Sequence, residues 1–213
     1  MRFKTLTLSA TTSIAAATTP ALAQEISPVN KYAWGENVGF LNFADAGDPP
    51  GSQGVFANPT YLEGFVWGEN IGWINLGDGS GPYANTNNTN FGVNRSGSGD
   101  LTGYAWGENI GWVNFTGGSL ATPANPARIE AGRFRGYAWG ENTGWINLDD
   151  PNIFVALSCP ADLNNDGMLN FFDVSAFLTA YSSGDPIADF TGDGLFNFFD
   201  VSAFLMAYSA GCP

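Results

Sequence analysis

Large and small side chains alternate through four short segments in the first two thirds of the chain. In the third segment, Tyr104 and Trp106 fall on one face of an extended strand and Ala105 falls on the other. A Gly-Glu-Asn-x-Gly stretch follows, in which Gly and Asn tolerate the backbone angles of tight turns. Beyond it, Trp112 and Val113 again fall on opposite faces. Each segment is therefore predicted to form two antiparallel strands joined by a turn.

The hairpin motif occurs four times, at intervals within the range of roughly 20–50 residues that marks repeat architectures. The copies are YAWGENVGFLNF (32–43), FVWGENIGWINL (65–76), YAWGENIGWVNF (104–115) and YAWGENTGWINL (137–148). Further β segments follow the copies at 54–56, 91–93, 127–129 and 153–157. The pattern predicts four three-stranded antiparallel units. Units this small must pack on one another, either closed around an axis, as in a propeller or prism, or stacked in a line.

The motif resembles a bacterial extracellular repeat with the pattern Gly-Tyr-Ala-Trp-x-Glu-Asn-x-Gly-Trp-Ile-x-Phe. The resemblance implies a location outside the cell and carries no established activity. All seven tryptophans belong to the motif, and Phe40 takes the eighth position. We expect most of them to form core layers between units. The alternative is an exposed row of rings that stacks on sugars, because aromatic faces bind flat apolar surfaces.

The four motif glutamates are Glu36, Glu69, Glu108 and Glu141. A pair of carboxylates can hydrolyse glycosides, but the two groups then need different environments about 5–9.5 Å apart. Four carboxylates in equivalent turns indicate a repeated turn bond or surface feature instead. We therefore predict no catalytic residue, and a glycoside hydrolase remains a weaker third hypothesis.

Charge and composition narrow the classes of function. The chain has 7 Lys plus Arg, 20 Asp plus Glu and no histidine, for a net charge of −13. Nucleic acids and anionic membrane surfaces attract clusters of Lys and Arg, so neither is an expected partner. The absence of histidine excludes a His-dependent triad and a His-liganded zinc or haem.

Residues 1–23 have the features of a secretory signal peptide. Two basic residues precede an apolar and hydroxyl-rich stretch, and Ala21-Leu22-Ala23 supplies a small-x-small cleavage site. No other stretch reaches the ~18 uninterrupted apolar residues of a membrane span. The mature protein is predicted to be secreted, extracellular or associated with the cell surface, with a β repeat domain at 24–157 and a second domain at 158–213.

The second domain contains a duplicated calcium-loop pattern, in which oxygen-bearing residues recur at the spacing that suits a cation with six to eight oxygen ligands. In the first copy, Gly167 supplies the sharp turn. The predicted ligands of this copy are Asp162, Asn164, Asp166, the Met168 carbonyl and Asp173. Those of the second are Asp189, Thr191, Asp193, the Leu195 carbonyl and Asp200. Two calcium ions are therefore predicted, with Asp in place of the usual Glu at the last loop position.

A short amphipathic helix is predicted after each loop. Val174, Phe177, Leu178 and Tyr181 recur at helical spacing and should form one buried stripe. Phe172 falls on the opposite side, and Phe199 is its counterpart in the second copy, so both rings are predicted to be exposed contacts for a partner.

The duplicated loop and helix, flanked by Ser-Cys-Pro (158–160) and Gly-Cys-Pro (211–213), resembles the Gly-Cys-ended dockerins of secreted bacterial proteins. That resemblance implies two calcium ions and a cohesin-like protein receptor. Dockerins of cellulosomes commonly carry a Ser-Thr pair at loop positions 10 and 11. This chain has Phe171-Phe172 and Phe198-Phe199 there, which implies a more apolar receptor surface.

Cys159 and Cys212 bracket the two calcium segments, and an exported protein can keep a disulfide. An intramolecular bond between them would contribute about 4 kcal/mol in the chain-entropy model. Free thiols and intermolecular bonds are the alternatives. The sequence as a whole favours a non-catalytic secreted protein that a dockerin-like module attaches to a cell surface or extracellular complex. The second hypothesis is a carbohydrate-binding accessory of a polysaccharide-degrading assembly.

Overall fold

The computed structural model describes residues 23–166 and 168–212. The predicted signal peptide lies outside the described residues except for Ala23, and so do Gly167 and Pro213. Strand β1 begins at Gln24, the residue after the predicted cleavage site. Within the described ranges, no helix is both long and apolar enough to cross a membrane.

The four motif copies form eight strands of one closed antiparallel barrel. Their bounds are β1 (Gln24–Gly35), β2 (Gly39–Asn42), β4 (Leu62–Gly68), β5 (Gly72–Gly77), β7 (Leu101–Gly107), β8 (Gly111–Asn114), β11 (Tyr137–Gly140) and β12 (Gly144–Asn147). Each hairpin pairs with the next one along the chain, and β12 of the last copy pairs with β1 of the first at Trp34 and Asn147. The mainly antiparallel β fold and the four hairpins are confirmed, and the closed arrangement is a barrel.

The shorter strands are β3 (Phe56–Ala57), β6 (Val93–Arg95), β9 (Arg128–Glu130), β10 (Arg133–Arg135) and β13 (Val155–Leu157). Strand β3 pairs with β4 of the following hairpin as well as with β1 of its own. Strand β6 pairs with β7 of the following hairpin, and Asn94 also bridges to Tyr61 beside its own hairpin. After the last copy, β13 pairs with β1. The expected separate three-stranded units are therefore replaced by strands shared between neighbours.

The inner face of the barrel corrects the expectation that the tryptophans form the core. Small and aliphatic residues fill the interior, including Ala105 and Val113, which are almost fully buried. The tryptophan at each neighbouring strand position points outward. An eight-stranded barrel encloses just enough room for modest side chains. The alternation in the sequence was identified correctly, but the core lies on the side of the smaller residues.

The turn of each motif closes one end of the barrel. The residue between Asn and the second Gly (Val38, Ile71, Ile110 or Thr143) is buried there. At Gly107 a β-carbon would come within 2.6 Å of the Ile110 side chain, which explains the glycine before Glu-Asn. The motif asparagines Asn37, Asn70, Asn109 and Asn142 each donate a side-chain hydrogen bond to the carbonyl of this buried residue in the preceding hairpin, at 3.0–3.3 Å. These four bonds form a ring that joins each hairpin to the one before it.

The C-terminal module (residues 158–212) contains two helices, α1 (Phe171–Ser183) and α2 (Phe198–Ala210). Phe177 and Phe204 occupy equivalent positions and stack with their ring centres 4.2 Å apart. Phe190 packs edge-on against both rings. Leu178 is an exception to the predicted buried stripe, since it is exposed on α1.

Candidate functional sites

The outer face of the barrel carries a regular set of paired aromatic rings. On each hairpin, the motif ring of the first strand lies directly opposite that of the second, and the ring centres are 4.6–5.0 Å apart. The pairs are Trp34–Phe40, Trp67–Trp73, Trp106–Trp112 and Trp139–Trp145. Five of these tryptophans are 36–43 % exposed. The rings therefore stabilise the hairpins by contact with each other while part of each ring remains accessible.

A third aromatic ring extends each pair along the first strand. Tyr32, Phe65, Tyr104 and Tyr137 each contact the second-strand ring of their own hairpin at 6.0–6.2 Å. All twelve of these rings lie on the side of the sheet away from the core, because residues two apart on a strand share a face. The result is four similar aromatic clusters around the barrel.

Four grooves lie between neighbouring hairpins, and each is built from the same motif positions. The second-strand ring and the final Asn come from one hairpin, and the first-strand Trp and the turn Glu come from the next. The grooves are 1/2 (Phe40, Asn42, Trp67, Glu69), 2/3 (Trp73, Asn75, Trp106, Glu108), 3/4 (Trp112, Asn114, Trp139, Glu141) and 4/1 (Trp145, Asn147, Trp34, Glu36). No single copy of the motif makes a groove by itself.

The polar groups of the grooves retain much of their hydrogen-bonding capacity. In the described part of the chain, the carboxylates of Glu69, Glu108 and Glu141 make no hydrogen bond or ion pair, whereas Glu36 accepts one from the Trp145 backbone at 3.4 Å. The motif glutamates are thus surface groups. Among the described residues, none of them makes the predicted bond within its own turn, and the one bond of Glu36 reaches the neighbouring fourth hairpin. Among the described residues, no tryptophan indole N–H has a partner within the protein.

The final asparagine of each motif uses its oxygen for structure and leaves its amide group available in three copies. The side-chain oxygens of Asn75, Asn114 and Asn147 accept a backbone N–H two residues later, at 2.8–3.0 Å. Their Nδ2 groups make no bond to any described residue. In groove 1/2, by contrast, Nδ2 of Asn42 donates to Asp45 at 2.9 Å.

Groove 1/2 also differs in charge. Lys31 lines it and pairs with Asp45, whereas the linings of the other three grooves contain no Lys or Arg. Partial burial favours a raised pKa for the Asp45 carboxyl, but the hydrogen bonds from Lys31 and Asn42 outweigh it and lower that pKa. Grooves 2/3, 3/4 and 4/1 therefore present a carboxylate with no neutralising cation in the lining.

The two predicted calcium loops have closely similar local structure. Asn170 and Asn197 cap the helices that follow, and the buried Asp173 and Asp200 return hydrogen bonds to them, which completes a capping box on each helix. The backbone bond from Asn197, opposed by burial and aided by Thr191, lowers the pKa of Asp200. The last predicted ligand of the second loop is thus favoured in its anionic form.

In the second loop, three predicted ligand positions approach one another. The Thr191 hydroxyl lies 2.8 Å from an Asp200 oxygen and 3.5 Å from an Asp189 oxygen. In the first loop, the Asn164 backbone N–H donates to Asp173 at 3.4 Å. Among the described residues, no group of three or more acidic, Cys or His side chains is gathered at metal-binding distances. The donor set suits calcium, with negatively charged oxygens that would balance the charge of the ion.

The predicted contact rings Phe172 and Phe199 are 67 % and 68 % exposed. Each forms an edge-to-face pair with the phenylalanine before it, Phe171 or Phe198, and these are also exposed. The disulfide between Cys159 and Cys212 is present, so free thiols and an intermolecular bond are excluded in this structure. It joins the start of the module to its end, 53 residues later.

Comparison of the chain with protein-family models, with curated proteins and with solved structures finds no match. The resemblances to the extracellular repeat and to the dockerins therefore depend on the motifs themselves. Sequence analysis identified the residues of the grooves but not the grooves. The four copies had suggested separate units. Pairing between consecutive hairpins brings the second ring of one copy beside the first Trp of the next, and closure of the barrel adds groove 4/1.

Proposed function

We propose that this chain is an exported, non-catalytic carbohydrate-binding protein, with a barrel that holds the glycan and a calcium-dependent, dockerin-like module that attaches it to a cohesin-like receptor. The exposed aromatic pairs around the barrel are the observation that carries the first half of the proposal. Exposed rings at equivalent positions mark binding surfaces, and flat apolar faces are what the two sides of a sugar ring offer.

The arrangement of carboxylates favours binding over hydrolysis. Each groove is lined by one motif glutamate, from the turn of the following hairpin. Glycoside hydrolysis commonly needs two carboxylates about 5–9.5 Å apart, one on each side of the scissile bond. A single carboxylate suits a hydrogen-bond acceptor for sugar hydroxyls.

The dockerin-like half of the proposal depends on the two donor sets and on the exposed phenylalanine pairs. Calcium bound at both loops would supply positive charge that holds the acidic side chains together at the base of each helix. The disulfide would keep the two copies together. Phe172 and Phe199 would then present the same apolar contact at two related places, so a receptor could engage either copy.

A glycan array and a calcium titration on the secreted chain test the two halves separately. The Trp73→Ala/Trp112→Ala/Trp145→Ala variant should lose glycan binding and still bind two calcium ions by calorimetry. The Asp162→Ala/Asp189→Ala variant should lose calcium and still bind glycans. If no glycan binds to the intact protein, the carbohydrate function is wrong. If no calcium binds at millimolar concentration, the dockerin-like function is wrong.

Docking itself is tested with immobilised cohesin domains in the presence of calcium. The Phe172→Ser variant should retain most binding through the second copy, whereas Phe172→Ser/Phe199→Ser should bind no cohesin while both calcium sites stay filled. Leu178→Ser is the matched control, because Leu178 is an exposed apolar residue on the same helix. Undiminished binding by the double variant would place the docking surface elsewhere.

A further inference from the structure

The four grooves differ in volume, in free hydrogen-bond donors and in the charge of their linings. These differences indicate which class of sugar should bind and at which groove it should bind most tightly. We infer, building on the proposed function, that each groove is a separate site for one uncharged sugar unit. The geometry points to groove 3/4 as the strongest site and groove 1/2 as the weakest. The barrel would then be a multivalent binder of neutral polysaccharide.

The composition of the grooves supports an uncharged ligand. Two tryptophans supply apolar faces in grooves 2/3, 3/4 and 4/1. The indole N–H groups there, and the Nδ2 groups of the final motif asparagines (Asn75, Asn114 and Asn147), supply donors that no described residue occupies. The glutamate supplies the acceptor. A neutral sugar matches this set, since its hydroxyls both donate and accept. A uronic acid or sulfated sugar would place an anion beside an unneutralised carboxylate, which is unfavourable.

Groove 3/4 provides the most contact. It encloses about 730 Å³, compared with about 420–510 Å³ for the other three, and all four lie within the range of roughly 300–1,000 Å³ typical of small-ligand sites. Phe91 extends its aromatic wall, with its ring centre 5.1 Å from that of Trp112. The loop that precedes Phe91 adds side-chain amides at the rim, including Asn85 and Asn87.

Groove 1/2 lacks three of the features that the other grooves share. Phe40 replaces the second tryptophan and has no N–H group. The amide of Asn42 is bonded to Asp45, and Lys31 occupies the lining. Groove 1/2 thus lacks the second indole N–H and the free asparagine amide, and the ammonium of Lys31 is paired with Asp45, so the same sugar should bind there least tightly.

Each groove is shared between two hairpins, so single substitutions can separate the contributions of the grooves. The second-strand rings Trp73, Trp112 and Trp145 each line one groove only, so each substitution should disable one site and spare the others. Sites facing different directions on one rigid barrel can engage several chains of a polymer at once. Avidity should therefore make the protein bind a polysaccharide far more tightly than a short oligosaccharide.

The test uses the secreted chain with ¹⁵N-labelled tryptophan, because each of the seven indole N–H groups gives its own NMR signal. The probes are cellohexaose, laminarihexaose, mannohexaose and xylohexaose, with hexagalacturonate as the anionic comparison. At least one neutral hexasaccharide should shift signals from all three tryptophan-paired grooves, and groove 3/4 should saturate first. Trp112→Ala should weaken binding at that groove by about tenfold or more, equivalent to ~1.4 kcal/mol.

Leu120→Ala is the matched control, because Leu120 is an exposed apolar residue of the barrel that lines none of the four grooves, and it should not change the binding of the same hexasaccharide. Phe40→Trp should strengthen groove 1/2. Shifts confined to one groove, equal effects of Leu120→Ala and Trp112→Ala, or preferential binding of hexagalacturonate would each overturn this inference and leave carbohydrate binding intact. If no glycan shifts any indole signal and none binds on the array, the proposed function fails with it.

Discussion

The barrel and the C-terminal module are both built from repeated sequence, but their copies are joined by different means. In the barrel, every hairpin forms backbone hydrogen bonds with the next, and the ring closes from β12 to β1. In the module, two copies meet at a small cluster around the stacked Phe177 and Phe204 rings. Four copies can close a sheet and bury one shared core. Two short copies cannot, so the module needs additional links such as a disulfide or bound metal.

This difference should appear most strongly when the disulfide is removed. In a Cys159→Ser/Cys212→Ser variant, the free energy of unfolding of the module should fall by about 4 kcal/mol, because the unfolded chain is no longer constrained. The barrel should be unaffected. Denaturation followed by helical circular dichroism reports the module, and tryptophan fluorescence reports the barrel, since all seven tryptophans lie there. An equal shift of both transitions would contradict the independence of the two regions.

Calcium should have the next largest effect, again confined to the module. At a calcium concentration a hundred times the dissociation constant, each ion should stabilise the folded module by about 2.7 kcal/mol. Asp189→Ala should remove one of the two ions counted by calorimetry. Asp185→Asn is the control, because Asp185 lies in the same module outside both loops, and Asn can still cap the short 3₁₀ helix that follows it (Pro186–Ala188). Stabilisation of the barrel by calcium would show that the assignment of the sites is incomplete.

Within the barrel, the comparison between its two faces can be measured directly. Trp106→Ala should lower the free energy of unfolding by only about 1–2 kcal/mol, since the ring is partly exposed and loses mainly its pairing with Trp112. Ile74→Ala, on the inner face, should cost about 2–5 kcal/mol because it leaves a cavity. Chemical denaturation measures both losses in the free energy of unfolding. A larger loss for Trp106→Ala than for Ile74→Ala would show that the tryptophans, and not the aliphatic residues, form the core.

The smallest expected effect concerns the ring of asparagine bonds. Asn109→Ala removes the 3.0 Å bond to the Ile71 carbonyl and should destabilise the barrel by about 1 kcal/mol, the usual net value of one hydrogen bond. Asn88→Ala, in an exposed loop, should be neutral. Equal melting temperatures for the two variants would show that the asparagine hydrogen bond between hairpins contributes nothing to stability.

Local features of this protein could be predicted from sequence because they depend on neighbouring residues only. The hairpins follow from alternation around a Gly-Glu-Asn-x-Gly turn, and the helices α1 and α2 follow the two loops as their apolar periodicity predicts. The outward direction of Phe172 and Phe199 follows from helical periodicity, and the pairing of Cys159 with Cys212 follows from there being two cysteines at the ends of one module.

The tertiary structure decided which face of the sheet is buried and which motif positions become neighbours. Alternation separates Trp106 from Ala105 but is unchanged when the two faces of the sheet are exchanged, so it cannot say which faces the core. The narrow interior of an eight-stranded barrel makes that choice, and it favours alanine over tryptophan. Pairing between consecutive hairpins joins β3 and β6 to the hairpin that follows them and places Trp112 beside Trp139. The sequence therefore determined the components of the four grooves, and the curvature of the closed sheet determined that they face outward and meet.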